Sequence, residues 1–143
     1  MSADGPREFV DANVLVYAFD ASAGDKKARA EALLARLWES GTGCLSAQVL
    51  QEFFVVVTRK VPRPLSPEVA GERVREFSAW PVFSPTSADV LGAIALQQEA
   101  RLSFWDAMIV HCASEAGCET LWSEDLGDAQ TIRGVQVRNP FHD

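Results

Sequence analysis

The chain has 143 residues, 48% of them hydrophobic, and this length and composition exclude a disordered chain and fit one globular domain spanning residues 1–143. Its net charge of −7 argues against a strongly basic nucleic-acid-binding protein, although acidic residues that hold a metal would weaken that argument. The apolar runs are too short to cross a bilayer and the first residues lack a signal pattern, so we expect a cytoplasmic protein without membrane contact. Cys44, Cys112 and Cys118 have no paired metal-ligand spacing, and we expect free, mostly buried thiols.

Short apolar segments alternate with longer segments of helical periodicity along the chain. The apolar segments predict five strands, at residues 8–10, 44–45, 82–83, 120–122 and 135–137. Helical spacing, capping residues and terminating glycines or prolines predict six helices, at about residues 13–20, 25–40, 46–60, 66–79, 86–100 and 103–116. This alternation indicates an α/β fold, and we predict a three-layer α/β/α sandwich with a mainly parallel twisted sheet.

The first candidate site residue is Asp11, which follows the first predicted strand in the segment FVDANVL. Open parallel sheets bind their ligands beyond the carboxyl ends of the strands, where this residue would lie. A turn or capping aspartate is the simpler interpretation, but Asn13 can cap the following helix in its place. Asn13 can also hold a carboxylate or a metal-bound water in position.

Two further candidates lie near the starts of predicted helices. Asp106 falls in the first turn of the helix that begins at Ser103, where capping alone would also explain an acid. Glu52 falls near the second turn of another helix, between bulky apolar residues in the segment VLQEFFV, where a solvated glutamate is the alternative. We expect both acids to face the same edge of the sheet as Asp11.

The fourth candidate is Asp125, which follows the predicted strand ending at Trp122 and has Ser123 as a polar neighbour. The residues of the segment SEDLG are also typical of an ordinary turn without a functional role. Glu124 and Asp128 are alternative candidates for the same role, so the sequence leaves this position of the site open.

Four acids at the edges of apolar elements favour a bound cation, because a carboxylate beside an apolar run is costly unless it is paired. Oxygen ligands suit Mg²⁺ or Mn²⁺. Zinc is disfavoured because His111 and His142 are distant in sequence and no cysteine pair flanks them. We expect His111 to be a packed or surface histidine, and Trp105 to be a core or interface residue with base stacking as a minor alternative.

With these segments identified, the chain resembles the PIN domain family, and most closely the VapC ribonuclease toxins of bacterial toxin–antitoxin pairs. The resemblance rests on the order and spacing of FVDANVLVYAFD, SAQVLQEFF, RLSFWDAMIVHCASEAGCETLWSEDL and GVQVRNPF. It implies that the catalytic, metal-binding acids are Asp11, Glu52, Asp106 and Asp125. It also implies that Asn13 and Ser123 support them, with Asp128 as a possible addition.

The resemblance further implies an endoribonuclease that uses Mg²⁺ or Mn²⁺ to hydrolyse RNA, a homodimer, and a VapB-type antitoxin partner that blocks the site. Two alternatives remain. A catalytically silent PIN-type adaptor would share the fold, and only complete metal ligation separates it from an active member. A haloacid dehalogenase-like phosphatase also places an aspartate after its first strand, but it needs a second aspartate where this chain has Asn13.

Overall fold

The computed structural model describes residues 5–127 and 129–142, and within these ranges the chain forms six helices and six strands. The helices are α1 (Ala12–Ala18), α2 (Asp25–Ser40), α3 (Ala47–Arg59), α4 (Pro67–Phe77), α5 (Ser87–Ala100) and α6 (Phe104–Glu115). The strands are β1 (Arg7–Val10), β2 (Gly43–Ser46), β3 (Val82–Phe83), β4 (Cys118–Trp122), β5 (Thr131–Ile132) and β6 (Val135–Arg138). Every helix and strand predicted from the sequence is therefore present, with bounds that differ by a few residues.

Side-chain caps determine where several helices begin. Ser46, Ser66 and Ser103 each accept a hydrogen bond from a backbone N–H three residues later, at the starts of α3, α4 and α6. Thr86 and Asp89 form a reciprocal capping box at the start of α5. These caps satisfy backbone donors that the helices cannot satisfy themselves, which explains why the sequence predicted these starts well.

The strands form one sheet in the order β3-β2-β1-β4-β6-β5. Every neighbouring pair is parallel except β5 and β6, which are antiparallel. The chain runs from β1 outward to β2 and β3, and then returns to the other side of β1 at β4. The direction of winding therefore reverses between β1 and β4, at a switch point of the kind where open α/β sheets form ligand sites.

Helices cover both faces of this sheet. Right-handed crossovers place α1 to α4, which link β1, β2 and β3, on one face, and α5 and α6, which lead to β4, on the other. The packing agrees, since α1 packs against α2 and α3, α3 packs against α4, and α5 packs against α6. The fold is thus the predicted three-layer α/β/α sandwich with a mainly parallel sheet.

The core lies between the layers and includes the central strands. Phe9 and Val10 of β1 and Leu121 of β4 are fully buried. The three cysteines are buried and free, as predicted. Of the helices in the described part of the chain, none has both the length and the apolar character needed to cross a membrane.

One strand was not predicted. β5 pairs with β6 through a tight turn in which Arg133 and Gly134 both have positive φ, of 48° and 80°. Two consecutive residues with positive φ are typical of the type I′ turn, which suits the twist of a two-residue hairpin loop. A strand of two residues is too short to show a periodic pattern, so the sequence gives little indication of it.

Candidate active site

Asp11 lies at the junction between β1 and α1. Its backbone N–H donates to the carbonyl of Trp122 at the end of β4 (2.9 Å), and its Oδ1 accepts a hydrogen bond from the backbone N–H of Ala12 (2.7 Å). Asp11 is therefore itself the N-cap of α1, whereas the sequence had suggested Asn13 for that role. The cap fixes the carboxylate at the carboxyl edge of the sheet, where its side chain is buried.

Ser123 and Asn13 connect Asp11 to the segment after β4. The hydroxyl of Ser123 donates to Asp11 Oδ2 (2.8 Å) and accepts a hydrogen bond from the backbone N–H of Asp125 (3.2 Å). Asn13 Nδ2 donates to Asp125 Oδ2 (3.0 Å) and lies 3.4 Å from Asp11 Oδ2. The amide oxygen of Asn13 accepts from the backbone N–H of Glu124 (3.2 Å). These two polar residues therefore hold two of the predicted acids in one network.

Glu124 is adjacent to Asp125 but its carboxylate has other partners. It accepts a hydrogen bond from the hydroxyl of Tyr17 (2.7 Å) and forms an ion pair with Lys26. Burial acts to raise the pKa of Glu124, but the hydrogen bonds from Lys26 and Tyr17 outweigh it, and the pKa lies below its ordinary value. Glu124 already pairs with the positive charge of Lys26, whereas Asp125 accepts a hydrogen bond from the neutral amide of Asn13. Asp125 is therefore the better candidate for a metal ligand.

A cavity of about 300 Å³ adjoins this network, and its walls include Asn13, Glu52 and Asp125. Glu52 is exposed on α3, and its Oε1 accepts a hydrogen bond from Gln48 Nε2 (2.7 Å). Lys60, at the end of the same helix, lies in the wall of this cavity as well. The structure thus brings Glu52 to the group formed by Asp11 and Asp125, and adds a basic side chain that sequence analysis did not assign to the site.

Burial raises the pKa of Asp11 from its ordinary value to about 6. The hydrogen bonds from Ser123 and Ala12 act in the opposite direction, and the negative charges of Glu52 and Asp125 raise the pKa further. The ionised form of a buried carboxylate close to two others is unfavourable, and a bound cation would stabilise it. The electrostatics therefore mark Asp11 as the centre of the candidate site.

Asp106 lies in the first turn of α6, half-buried, with its backbone N–H bonded to the Ser103 hydroxyl (3.1 Å). In the described residues, no hydrogen bond joins its carboxylate to the other three acids. Its neighbour Trp105, however, lines a cavity together with Glu52, so the start of α6 lies beside the acidic group. Asp106 remains a predicted ligand. Asp128 lies outside the described residues.

The donor set fits a hard divalent cation. Glu52 and Asp125 line one cavity, Asp11 is joined to Asp125 through Ser123 and Asn13, and Asp106 is the predicted fourth ligand. Oxygen donors of this kind are those preferred by Mg²⁺ and Mn²⁺. A larger cavity, of about 540 Å³, lies around Arg7 and Thr42 near the opposite edge of the sheet, but none of the described residues that line it carries a carboxylate.

A second group of possible metal ligands was not predicted. Single ligand atoms of Asp89, His111 and Glu115 lie within 4.8 Å of one another where α5 meets α6. His111 is buried and its Nε2 lies 2.9 Å from Asp89 Oδ1, so it is a packed histidine, as expected. The i,i+4 spacing of His111 and Glu115 was visible in the sequence, but the approach of Asp89 depends on how the two helices pack.

An acidic pocket at the switch point of a mostly parallel sheet lies where open α/β proteins form their ligand sites, at the carboxyl edge of the sheet. The sequence matches the model of the PIN domain over residues 9–130, and the chain belongs to the PIN domain family. No curated protein sequence matches the chain.

Solved structures with the same fold include components of toxin–antitoxin systems. A toxin–antitoxin complex from Klebsiella pneumoniae aligns with a TM-score of 0.70 and 21% identity, over 95% of this chain and 99% of that chain. VapC20 of Mycobacterium tuberculosis, described as a Sarcin-Ricin loop cleaving toxin, aligns with a TM-score of 0.60 and 21% identity, over 80% and 86%. VapBC2 of Rickettsia felis bound to a promoter DNA fragment aligns with a TM-score of 0.65 and 17% identity, over 92% and 97%. At these identities the similarity shows a shared fold.

Proposed function

We propose that the protein is a metal-dependent endoribonuclease and the toxin of a VapBC-type toxin–antitoxin pair. The observation that carries the proposal is the position of Asp11 in a PIN domain. It is buried, bonded to Ser123 and close enough to Glu52 and Asp125 for their charges to raise its pKa. A nuclease of this class needs such a set of carboxylates beside an open cavity, and the chain provides one of about 300 Å³.

In this proposal Asp11, Glu52, Asp106 and Asp125 hold Mg²⁺ or Mn²⁺. The bound ion would polarise a phosphate oxygen and lower the pKa of the attacking water. The hydrogen bond from Ser123 holds the Asp11 carboxylate in position, and that from Asn13 holds the Asp125 carboxylate. Hydrolysis with in-line attack by water would leave 5′-phosphate and 3′-hydroxyl ends.

Lys60 adds a positive charge to the cavity wall that also contains the acids Glu52 and Asp125. An ammonium group at this place can contact a phosphate of the substrate without competing for the metal. The net charge of −7 is therefore compatible with an RNA substrate, because some of the acidic residues belong to the proposed metal site and Lys60 supplies a positive charge beside it.

We also propose an antitoxin partner and a homodimer. Similar folds occur in the toxin–antitoxin complex from Klebsiella pneumoniae and in VapBC2 of Rickettsia felis, which supports the proposal of an antitoxin partner. Two exposed apolar surfaces support a need for partners. One is a groove of about 400 Å³ between α3 and α4 around Phe54 and Val55, and the other is the α5 face with Leu91 and Ile94. Light scattering of the protein alone, and with an antitoxin encoded beside it, tests both assignments.

The test of the enzymatic assignment is cleavage of total cellular RNA by the protein and by its Asp11→Asn variant. Reactions contain Mg²⁺, Mn²⁺ or EDTA, and the fragment ends are mapped. We expect discrete metal-dependent cuts with 5′-phosphate ends, and none from the variant. Asp25→Asn, which alters an exposed carboxylate that pairs with Arg29 of its own helix, is the matched control and should keep full activity. Metal binding without cleavage of any RNA would favour the silent adaptor instead.

A further inference from the structure

Three side chains of metal-ligating type converge where α5 packs against α6. Asp89 lies in the first turn of α5, and His111 and Glu115 lie one turn apart on α6. The Nε2 atom of His111 is 2.9 Å from Asp89 Oδ1 and 4.0 Å from Glu115 Oε1. None of the three lines the cavity that contains Glu52 and Asp125, so they form a separate group.

The imidazole of His111 is fixed in its orientation. Only 6% of the side chain is exposed, and its Cε1 edge packs against the backbone of α5 at Gly92, where a Cβ would lie 2.4 Å from that atom. The glycine therefore lets the ring approach α5 closely, and Nε2 points toward the two carboxylates. A ligand held in this way by packing is already in position before an ion binds.

The carboxylate of Asp89 is fixed as well. Its Oδ2 accepts hydrogen bonds from the backbone N–H of Thr86 (2.8 Å) and from the Thr86 hydroxyl (3.2 Å) in the capping box of α5. The other oxygen, Oδ1, is therefore directed at His111. The group thus combines a buried nitrogen with an anchored oxygen, and differs from a surface cluster of acids.

The charges in this group are unbalanced. In the parts of the chain that the structure describes, no lysine or arginine forms an ion pair with Asp89 or Glu115. Both carboxylates face the same imidazole, which can offer them one positive charge at most. Two acids that share one imidazole leave negative charge that a divalent cation would compensate.

The distances suit an ion bound between the three side chains. Metal–ligand bonds of roughly 2.0–2.2 Å to nitrogen and oxygen place neighbouring ligands about 3–3.5 Å apart, and the Asp89–His111 pair already has this spacing. Glu115 has to move by about an ångström to match. Its side chain is 56% exposed, so it is free to move and leaves the group open to solvent on that side. The ion replaces the proton between Nε2 and Oδ1, and that proton is released to solvent.

We propose that Asp89, His111 and Glu115 form a second metal site, which binds a divalent ion of the Zn²⁺, Co²⁺ or Ni²⁺ class and links α5 to α6. These ions accept imidazole together with carboxylate ligands, whereas Mg²⁺ prefers oxygen ligands alone. The sequence argument against zinc considered pairs of histidines or cysteines. It did not include Asp89, which lies 22 residues before His111 and reaches it only through helix packing. The proposal is independent of the nuclease.

The test is a titration of untagged, reduced Asp11→Asn protein with Co²⁺, followed by visible absorption. Excess Mg²⁺ occupies the hard oxygen ligands of the acidic group, so that Co²⁺ reports on sites that contain nitrogen. We expect saturable binding of one Co²⁺ per chain, displacement by Zn²⁺, and a rise in melting temperature with either ion.

Glu115→Gln is the main variant, because this side chain is exposed and its replacement leaves the fold intact. It should weaken Co²⁺ binding by at least about tenfold, as should Asp89→Asn, whose amide oxygen can still cap α5. His111→Gln should abolish the visible bands, since it removes the nitrogen ligand. Far-ultraviolet circular dichroism shows whether each variant folds. Glu119→Gln, which alters an exposed carboxylate on β4, is the matched control and should bind as the parent protein does.

Three results would overturn the proposal. The first is the absence of saturable Co²⁺ binding, and the second is binding that is unchanged in folded Glu115→Gln and Asp89→Asn. The third is an intense sulfur-to-cobalt charge-transfer band, which would place the ion on a cysteine. RNA cleavage with Mg²⁺, measured in the protein with Asp11 intact, should be the same with and without Glu115→Gln. The nuclease and the second metal site are therefore tested separately.

Discussion

Ser123 donates a hydrogen bond of 2.8 Å to Asp11, although the two residues are 112 positions apart in the sequence. The contact follows from strand pairing, because Val10 of β1 is in register with Trp122 of β4 and the next residue of each strand is a site residue. The parallel register therefore places a hydroxyl and a carboxylate side by side at the sheet edge.

Replacing Ser123 with alanine should destabilise the fold by about 1–3 kcal/mol, because the hydroxyl is fully buried and its loss removes both its hydrogen bond to Asp11 Oδ2 and the acceptor of the Asp125 N–H. Urea unfolding at neutral pH in EDTA measures the change. The matched control is Ser22→Ala, which removes an exposed hydroxyl that also donates to a carboxylate, that of Asp20. The control should change the free energy of unfolding by less than ~0.5 kcal/mol. Equal effects in both variants would contradict the role assigned to Ser123.

Asp11 should make stability depend on pH in the metal-free protein. Its pKa is raised from 3.8 to about 6 by burial, so the folded state holds the proton more tightly than the unfolded state does. The resulting stabilisation is fully present below about pH 4 and is lost as pH rises through 6, a difference of roughly 3 kcal/mol.

Asp11→Asn cannot titrate, so the difference in free energy of unfolding between this variant and the Asp11 protein should grow from pH 4 to pH 7 in EDTA. Urea unfolding across this range measures the difference. A constant difference would show that the carboxyl titrates normally in the folded protein.

Mg²⁺ or Mn²⁺ should raise the melting temperature, because the ion binds the folded protein and offsets repulsion among Asp11, Glu52 and Asp125. Asp125→Asn should reduce the shift and abolish RNA cleavage. Glu124→Gln is the neighbouring control: it weakens contacts with Lys26 and Tyr17 but should keep the metal-dependent shift and the cleavage. If Glu124→Gln lost the metal-dependent rise in melting temperature and Asp125→Asn kept it, Glu124 would be the metal ligand instead of Asp125.

The sequence predicted the fold because its signals are local. Capping residues such as Ser46 and Ser66 mark helix starts, and apolar runs mark the central strands. The sheet order is not local, and the pairing of β1 with β4 had to come from the structure. For the same reason, the sequence did not show that Glu124 forms an ion pair with Lys26, since the two residues are 98 positions apart.

Gly92 illustrates a packing requirement that the sequence hides. A Cβ at this position would lie 2.4 Å from Cε1 of the buried His111, whose ring is held by a hydrogen bond to Asp89. Gly92→Ala should therefore cost about 1–3 kcal/mol, because the imidazole has to move and its bond to Asp89 is strained. Gly71→Ala, in the middle of α4, places its Cβ in open space and should be neutral or stabilise by up to ~1 kcal/mol, as alanine favours helix. Chemical denaturation of both variants makes the comparison, and a Gly92→Ala protein as stable as Gly71→Ala would mean that the α5–α6 contact can relax around the ring.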